Sequence, residues 1–461
     1  MRSRALSLLT VAIASLTLSP ASYFGSRARP QVGSEATKQS ASSKRKRYVN
    51  ALESEKIADA FRKANKAFVK EDYQAGAESL KIAYAMNPED DLIINFLAES
   101  YAMVGDQSAL SMWLRRLLTV SPCFFHFPET AASVLNPKEY RELALAAKAK
   151  ATGAHGSMLA FMLSETDLIP EGIAYDPLDK VFFLSSLHKR KIVRVRLRTR
   201  RPPIVEDFVS EGQDGLFSTL GMKVDAERRI LWVCSSAESF MKDYSEADAD
   251  KAALYKYDLN TRKLIRKYEV GPNPRHLLND IALNAAGDVF VTDTATGEIF
   301  TVRREKDELE IFIPAGRFES PNGIAISKDG RSLFISDLPF GVYVVDLQTK
   351  RSERLPQSVG ISPSGSDGLY FYDNSLIGII NIVSERNGRV ARFYLDDSAR
   401  AVRHAAVLDC NHPLYQWPTT GVVVGNSFFY IANSQFGSFN SEQRTFPQKA
   451  LHKVAVMRLK L

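Results

Sequence analysis

Short apolar runs separated by turn-forming residues fill residues 156–461, and they recur with a period of roughly fifty residues. Each period opens on a six-residue stretch such as Asn-Gly-Ile-Ala-Ile-Ser at 322–327. A second run follows, for example Val-Phe-Phe-Leu at 181–184, and often a third. The runs are rich in β-branched and aromatic residues and are bounded by Asp, Asn, Gly and Lys, which is typical of strands. Six such units of three or four strands predict a six-bladed β-propeller.

The residue before the glycine position marks each unit, at steps of 49, 59, 43, 45 and 53 residues. These residues are Glu171, Leu220, Asn279, Asn322, Asp367 and Thr420. The first strand of every propeller blade lines the central channel, so the six should meet at one mouth of it. Four of them carry carboxylate or amide oxygens, which suit Ca²⁺ or a similar cation. The alternative is that Asn-Gly and Asp-Gly are ordinary turn dipeptides.

Residues 50–150 have a different pattern, with apolar residues at helical spacing. Asn87-Pro88 and Ser121-Pro122 stand 34 residues apart, which is the tetratricopeptide period. This predicts two tetratricopeptide-like units over about 55–122 and a further helix over 137–150. The small helical domain would precede a mostly β protein. It would serve either as a groove for a protein partner or as a packed cap on the propeller.

Two apolar runs flank the repeats, at 156–163 and 454–459. A closed ring leaves no free sheet edge, so we expect these runs to meet in the sixth blade. Three polar inserts, at 235–251, around 384–388 and at 434–453, fall between the second and third strands of their blades. They would form a wall or lid over the channel mouth, or ordinary surface loops.

The first 49 residues predict export. Residues 1–21 contain Arg2 and Arg4 before an apolar stretch, which is typical of a secretory signal peptide. The protein would be periplasmic or secreted, or anchored by an uncleaved signal, with no other transmembrane span. Residues 22–49 are polar and basic and indicate a disordered linker. Residues 1–50 carry nine Lys or Arg and one acid, so the net charge of the remaining chain is about −1. No nucleic acid partner is therefore expected.

Cysteine and histidine give little direction. Cys123, Cys234 and Cys410 show no disulfide framework or zinc spacing, although one pair is possible in an exported protein. Among the histidines, His276 lies near Asn279 and could reach the channel mouth. The sequence contains no Gly-x-Ser-x-Gly elbow, which disfavours a serine hydrolase.

Four short motifs carry a resemblance to a known family. They are Pro170-Glu171-Gly172, Asn279-Asp280, Pro321-Asn322-Gly323 and Ser366-Asp367-Gly368. Over about residues 156–461, the chain resembles the gluconolactonase/regucalcin (senescence marker protein) family of calcium-dependent lactonases. The resemblance implies that Glu171, Asn322 and Asp367 hold the metal, that Asn279 contacts metal or substrate, and that Asp367 is the general base. The chain departs from the family at Ile281, where Gly is usual, and in the distance of Arg275 from the motif.

This site predicts a Ca²⁺-dependent hydrolase of a small lactone or ester. The cation would polarise the carbonyl oxygen, and Asp367 would take a proton from the attacking water. Asn279, Asp280 and His276 would orient the ring. The main alternative is a non-catalytic propeller that binds a protein or carbohydrate around a structural metal, because fold alone does not decide function. A third possibility is a related propeller enzyme acting on another ester or on a condensation substrate.

Overall fold

A computed structural model describes residues 51–150, 155–338, 340–357, 360–381 and 388–461. The predicted signal peptide and basic linker, and most of the insert around 384–388, lie outside these residues. Within the described ranges, no helix has both the length and the apolar character needed to cross a membrane.

The N-terminal part of the described chain is helical. Its helices are α1 (Ala51–Phe68), α2 (Tyr73–Met86), α3 (Asp91–Val104), α4 (Gln107–Val120), α5 (Ala131–Val134) and α6 (Pro137–Lys150). Three of them begin after an Asp whose side chain accepts hydrogen bonds from backbone N–H groups of the first turn, namely Asp72, Asp90 and Asp106. Gly105 ends α3 at φ 81°, a backbone conformation that favours glycine. The assignment of these helices to tetratricopeptide units stays a prediction.

The rest of the described chain forms six antiparallel sheets of four strands each. The first strand, β1 (Ser157–Leu163), belongs to the last blade. Blade 1 consists of β2 (Ile173–Asp176), β3 (Val181–Ser185), β4 (Ile192–Arg198) and β5 (Arg201–Val209). Blade 2 consists of β6 (Ser218–Asp225), β7 (Ile230–Ser236), β8 (Ala252–Asp258) and β9 (Leu264–Val270). Blade 3 consists of β10 (Leu278–Leu283), β11 (Val289–Asp293), β12 (Ile299–Val302) and β13 (Leu309–Ile313). Blade 4 consists of β14 (Pro321–Ile326), β15 (Ser332–Asp337), β16 (Gly341–Asp346) and β17 (Ser352–Arg354). Blade 5 consists of β18 (Ser366–Phe371), β19 (Ser375–Ile380), β20 (Arg389–Leu395) and β21 (Val402–Cys410). Blade 6 consists of β22 (Gly421–Val424), β23 (Ser427–Ile431) and β24 (Val454–Lys460) together with β1.

The first strands of the blades contact one another in a closed circuit, β2–β6–β10–β14–β18–β22 and back to β2. They therefore line a central channel, and we call the end at which they begin the mouth. The predicted mostly β fold, a six-bladed propeller preceded by a small helical region, is confirmed. The predicted closure is confirmed as well, because β1 pairs antiparallel with β24 from Ser157↔Leu459 to Leu163↔Val454.

The glycine of the repeat has a steric reason. A Cβ atom at Gly172 would lie 2.1 Å from the backbone oxygen of Leu220 in the next blade. A Cβ atom at Gly323 would lie 2.4 Å from the backbone oxygen of Asp367. Neighbouring first strands approach so closely here that only glycine fits, which is why the repeat is visible in the sequence.

The helices pack on blades 4 and 5 at the mouth end, and we call α1–α6 the helical cap. Buried residues of the cap such as Phe61 and Phe96 share one continuous apolar cluster with Phe340, Val342 and Phe393 of the blades. Of the two interpretations of this region, the packed cap is therefore what the structure shows. A partner groove on its outer surface stays a prediction.

Buried polar groups fix the orientation of the cap. Asp91 and Arg389 form an ion pair with side-chain exposures of 0% and 1%, and Arg389 lies 4.1 Å from the ring centroid of Phe124. The amide of Gln357 donates to Asp90 Oδ2 at 2.7 Å. Because each of these contacts joins the cap to the propeller, the two parts share one interface with polar as well as apolar specificity.

A disulfide joins Cys123 of the cap region to Cys410 at the end of β21, across 287 residues of sequence, and Cys234 is a buried free thiol. We expect Cys123→Ser to lower the free energy of unfolding by about 2–4 kcal/mol, because the long closed loop restricts the unfolded chain. Denaturant unfolding of oxidised wild type, reduced wild type and the variant would measure this, with Cys234→Ala as the control. Equal stability of oxidised and reduced wild type would contradict the expectation.

Candidate functional site

Four of the six residues that precede the glycine position lie where the first strands begin at the mouth, and we call these four the ring residues. Glu171 is two residues before β2, and Asn279, Asn322 and Asp367 are each the second residue of β10, β14 and β18. The ladder of each of these three strands is interrupted at that point, between Leu278 and Ile281, Pro321 and Ile324, and Ser366 and Leu369. Such an irregularity releases a residue from strand pairing and re-aims its side chain. The same local device therefore turns all three side chains out of their blades.

The ring residues are buried, and burial and nearby charges raise the pKa of their two acids. Glu171, Asn279, Asn322 and Asp367 are 7–9% exposed. Burial, followed by the charges of Asp367 and Asp280, raises the pKa of Glu171 well above its ordinary value. Burial and the charge of Asp280 raise the pKa of Asp367 to about 6, against hydrogen bonds from Asn381 and Asn322 that lower it. Glu171, Asp280 and Asp367 thus concentrate negative charge in one poorly solvated space.

Two buried oxygens of this ring lack a partner. Within the described residues, neither Glu171 Oε2 nor Asn322 Oδ1 accepts a hydrogen bond. Buried polar atoms nearly always have a partner, so a water molecule or a bound cation is expected beside each of these two oxygens. Carboxylate and amide oxygens that converge from separate blades form the donor set of a hard divalent cation. Glu171, Asn322 and Asp367 therefore fit Ca²⁺ or a similar ion.

Asn279 and Asp280 are tied into the wall of the channel. The Asn279 amide donates to Thr294 Oγ1 at 2.9 Å. The Asp280 carboxylate accepts from the backbone N–H of Ile281 at 2.8 Å and of Ile324 at 3.4 Å, so it joins blades 3 and 4. Asp280 is 4% exposed, and burial raises its pKa while Lys223 opposes the shift. Their predicted contact with substrate stays a prediction.

His276 lies beside the end of β11. Its Nδ1 atom is hydrogen-bonded to Asp293 Oδ2, and this bond is the first cause that raises the pKa of His276. Asp293 is fully buried and also accepts from the backbone N–H of Leu277 at 2.9 Å. In the described part of the chain, no hydrogen bond or ion pair joins His276 to Glu171, Asn322 or Asp367. Charge interactions and a hydrogen bond link Glu171, Asp280, Asn322 and Asp367. His276 has a partner of its own, and its substrate role stays a prediction.

Sequence reasoning missed Asn381, Lys223 and Tyr370. The Asn381 amide donates to Asp367 Oδ2 at 2.7 Å and to the backbone oxygen of Pro418 at 2.8 Å, so it positions the Asp367 carboxylate. It directly follows β19, whose last residue pairs with Ser366. That strand register is the signal that could have found Asn381, and it is visible only once the pairing is known.

Two inserts, 235–251 and 434–453, pack together at the mouth end of blades 1, 2 and 6, and we call them the lid. Phe240 and Phe439 face each other at 6.2 Å between ring centroids, and the Arg444 guanidinium lies 4.8 Å from the Tyr244 ring. His188 holds the lid through the backbone oxygen of Phe240 at 2.8 Å. A cleft of about 480 Å³ lies between the two inserts and blade 1. The interpretation of these two inserts as a wall or lid is therefore supported by their contacts.

Comparisons with known proteins show similarity in backbone fold only. No protein-family profile and no curated protein sequence matches this chain. A calcium-binding protein, regucalcin from Agrobacterium tumefaciens, is similar at 14% identity over 65% of this chain and 93% of its own, with a TM-score of 0.44. A luciferin-regenerating enzyme is similar at 12% identity over 66% and 96%, TM-score 0.44. Virginiamycin B lyase from Staphylococcus aureus is similar at 11% identity over 66% and 98%, TM-score 0.42. Because the sequence identities are this low, the chemistry of the mouth has to be argued from its own residues.

Proposed function

We propose that this protein is a metal-dependent hydrolase that opens a small lactone at the channel mouth. The observation that carries the proposal is the buried meeting of Glu171, Asn322 and Asp367 with two orphan oxygens among them. Glu171, Asn322 and Asp367 would hold the ion, which we take to be Ca²⁺ because every donor is oxygen. Bound Ca²⁺ would supply a Lewis acid for the carbonyl oxygen of the lactone.

Asp367 is the base of the proposed reaction. In the metal-free protein burial and the charge of Asp280 raise its pKa to about 6, and a bound cation would lower it, so Asp367 would be ionised at neutral pH and able to accept a proton from water. Asn381 holds Oδ2 of the carboxylate, which fixes its orientation toward the attacking water. The water oxygen bonds to the carbonyl carbon, the ring C–O bond breaks, and the released ring oxygen receives the proton. The product is the open hydroxy acid.

Hydrolysis of a panel of small lactones and esters by the full-length protein tests the class. We expect turnover with added Ca²⁺, loss of turnover with a chelator, and recovery when Ca²⁺ is restored. Folded, Ca²⁺-loaded protein that turns over none of the panel would overturn the proposal.

One observation favours a second candidate, a non-catalytic binding propeller with a structural ion. The four ring residues are at most 9% exposed, and the lid and the helical cap stand on either side of the mouth. In that case the ion would bind with full affinity while the panel gives no turnover. A protein partner would then be sought on the outer surface of the helical cap.

We propose further that the protein is exported to the periplasm or secreted. The predicted signal peptide motivates this, and the Cys123–Cys410 disulfide supports it because disulfides persist in oxidising compartments. Fractionation of cells producing the full chain, with mass spectrometry of its N-terminus, would test export and cleavage together. Intact full-length protein in the cytoplasm would contradict it.

The affinity for Ca²⁺ should fall as the pH is lowered through 6. Protons compete with the ion at Asp367, whose pKa is about 6, and at Glu171, whose pKa is also raised. We expect about a tenfold loss of affinity per pH unit for each proton displaced. Calorimetric Ca²⁺ titrations at pH 7.5, 6.5 and 5.5 would measure it.

The stability of the metal-free protein should change in the opposite direction and rise as the pH falls. A carboxyl whose pKa is raised in the folded state destabilises the fold when ionised, so that cost is complete above pH 6 and is relieved as the pH falls toward the ordinary Asp value. The metal-free protein should thus gain stability from Asp367 between pH 7 and 5 while Ca²⁺ affinity declines. An affinity that does not change across this range would contradict the assignment of Asp367 as a ligand.

A further inference from the structure

A second cavity lies in the half of the channel that is away from the mouth, and we call it the lower cavity. It has a volume of about 220 Å³, and its wall includes Lys223, Ile324, Ile326, Tyr370 and Val423. Ile326 lies four residues beyond Asn322 on the same strand, or roughly 13 Å at about 3.3 Å per residue. The glycine layer, where neighbouring first strands approach most closely, lies between this cavity and the ring. The lower cavity is therefore a space distinct from the proposed metal site.

Lys223 brings a positive charge into this space without a bonded counter-charge. Its Nζ atom lies 5.2 Å from the centroid of the Tyr370 ring. Among the described residues, it takes part in no hydrogen bond and no ion pair within 4.0 Å. The pKa of Lys223 is lowered, because burial outweighs the opposing charge of Asp280. The side chain is half-buried and its ammonium has no hydrogen-bonded partner, so an anion that enters the cavity would gain an ion-pair partner there.

Tyr370 supplies a second polar group. Its hydroxyl oxygen accepts from the backbone N–H of Gly421 at 2.6 Å. Within the described chain no group accepts its proton, and the hydroxyl lies against Gly368 in the glycine layer, so its O–H can donate at the end of the cavity nearest the mouth. The other described residues of the cavity wall are apolar, among them Ala282, Leu283, Ala325, Leu369 and Val422. One ammonium and one hydroxyl on an apolar wall form a minimal site for a singly charged head with an aliphatic body.

We propose that the lower cavity binds a small carboxylate with a short aliphatic chain. The carboxylate pairs with the Lys223 ammonium and accepts from Tyr370, and the chain packs on Ile324, Ile326 and Val423. At about 30 Å³ per water-sized group, the cavity holds on the order of seven such groups, which corresponds to a chain near pentanoate or hexanoate in length. A phosphate dianion would find too few donors here, and a neutral hydrocarbon would leave Lys223 unpaired.

Titration of the full-length protein with hexanoate tests this site, with binding measured by calorimetry and by ligand-observed NMR. Hexanamide probes the need for charge, and acetate probes the need for the chain. The variants are Lys223→Met, which removes the ammonium, and Val423→Phe, which fills the cavity from another blade. Lys306→Met is the matched control, because Lys306 is exposed and pairs with Glu310 on blade 3.

We expect saturable binding of hexanoate at one site, with hexanamide and acetate each at least tenfold weaker. Lys223→Met and Val423→Phe should each weaken hexanoate at least tenfold, and Lys306→Met should leave it unchanged. Absence of saturable binding to folded wild type would overturn the proposal. Equal affinity for hexanamide, or an unchanged affinity in Lys223→Met, would overturn it too and would leave Lys223 as a counter-charge to Asp280. The readout is hexanoate binding, so the result is independent of whether the mouth hydrolyses lactones.

Discussion

Replacing Asp367 with Asn should reduce Ca²⁺-dependent lactone hydrolysis by about 10²–10⁴-fold, the usual contribution of a positioned base. The amide cannot take a proton from water, and it also removes one negative charge from the ion's donor set. The fold should not suffer, because Asn381 can still donate to the side-chain oxygen at position 367. The metal-free variant should be at least as stable as wild type, since burial and the charge of Asp280 already disfavour the ionised Asp367.

The measurement is kcat/KM on the best lactone of the panel, with Ca²⁺ at saturation for each protein. Asp373→Asn is the matched control, because Asp373 lies in the turn after β18 of the same blade with an exposure of 83%. Loss of activity in Asp367→Asn together with loss of stability would indicate a structural role. Unchanged activity at saturating Ca²⁺ would remove Asp367 from the mechanism.

The architecture could be predicted because its determinants are local and repeated. At Gly172 and Gly323 the neighbouring blade leaves no room for a side chain, and the same requirement recurs around the channel. The alternation of strand and turn residues therefore recurs with a period of roughly fifty residues. The pairing of β1 with β24 followed from the need to close the circle of blades, although the two strands lie at opposite ends of the propeller's sequence.

The finer features of the site depend on contacts between distant residues, which no local pattern records. Asn381 reaches Asp367 only because β19 pairs with β18 in one particular register. His276 lies near Asn279 in sequence, yet its hydrogen bond goes to Asp293 on the next strand. The packing of the helical cap on blades 4 and 5 depends on pairs such as Asp91 and Arg389, which are 298 residues apart.

That pair gives the second large expected effect, because Asp91→Ala would leave the Arg389 guanidinium buried without its carboxylate. Breaking a buried ion pair from one side typically costs about 3–5 kcal/mol, and both side chains here are at most 1% exposed. We expect a loss of that size in the free energy of unfolding, measured by denaturant titration. Glu310→Ala, which removes the exposed pair with Lys306, should cost less than about 1 kcal/mol.

A double variant separates the cost of an orphaned charge from the value of the pair. Asp91→Leu with Arg389→Met should recover most of the lost stability, because an apolar pair of similar volume can replace a buried ion pair. Arg389 pairs with Ile380, the residue before Asn381, and Asn381 holds the carboxylate of Asp367. If the helical cap positions the mouth through this route, Asp91→Ala should also weaken Ca²⁺ binding, and the double variant should restore stability more fully than affinity. A single variant as stable as wild type would show instead that the cap rests on its apolar cluster and the Cys123–Cys410 disulfide, and that the ion pair contributes little.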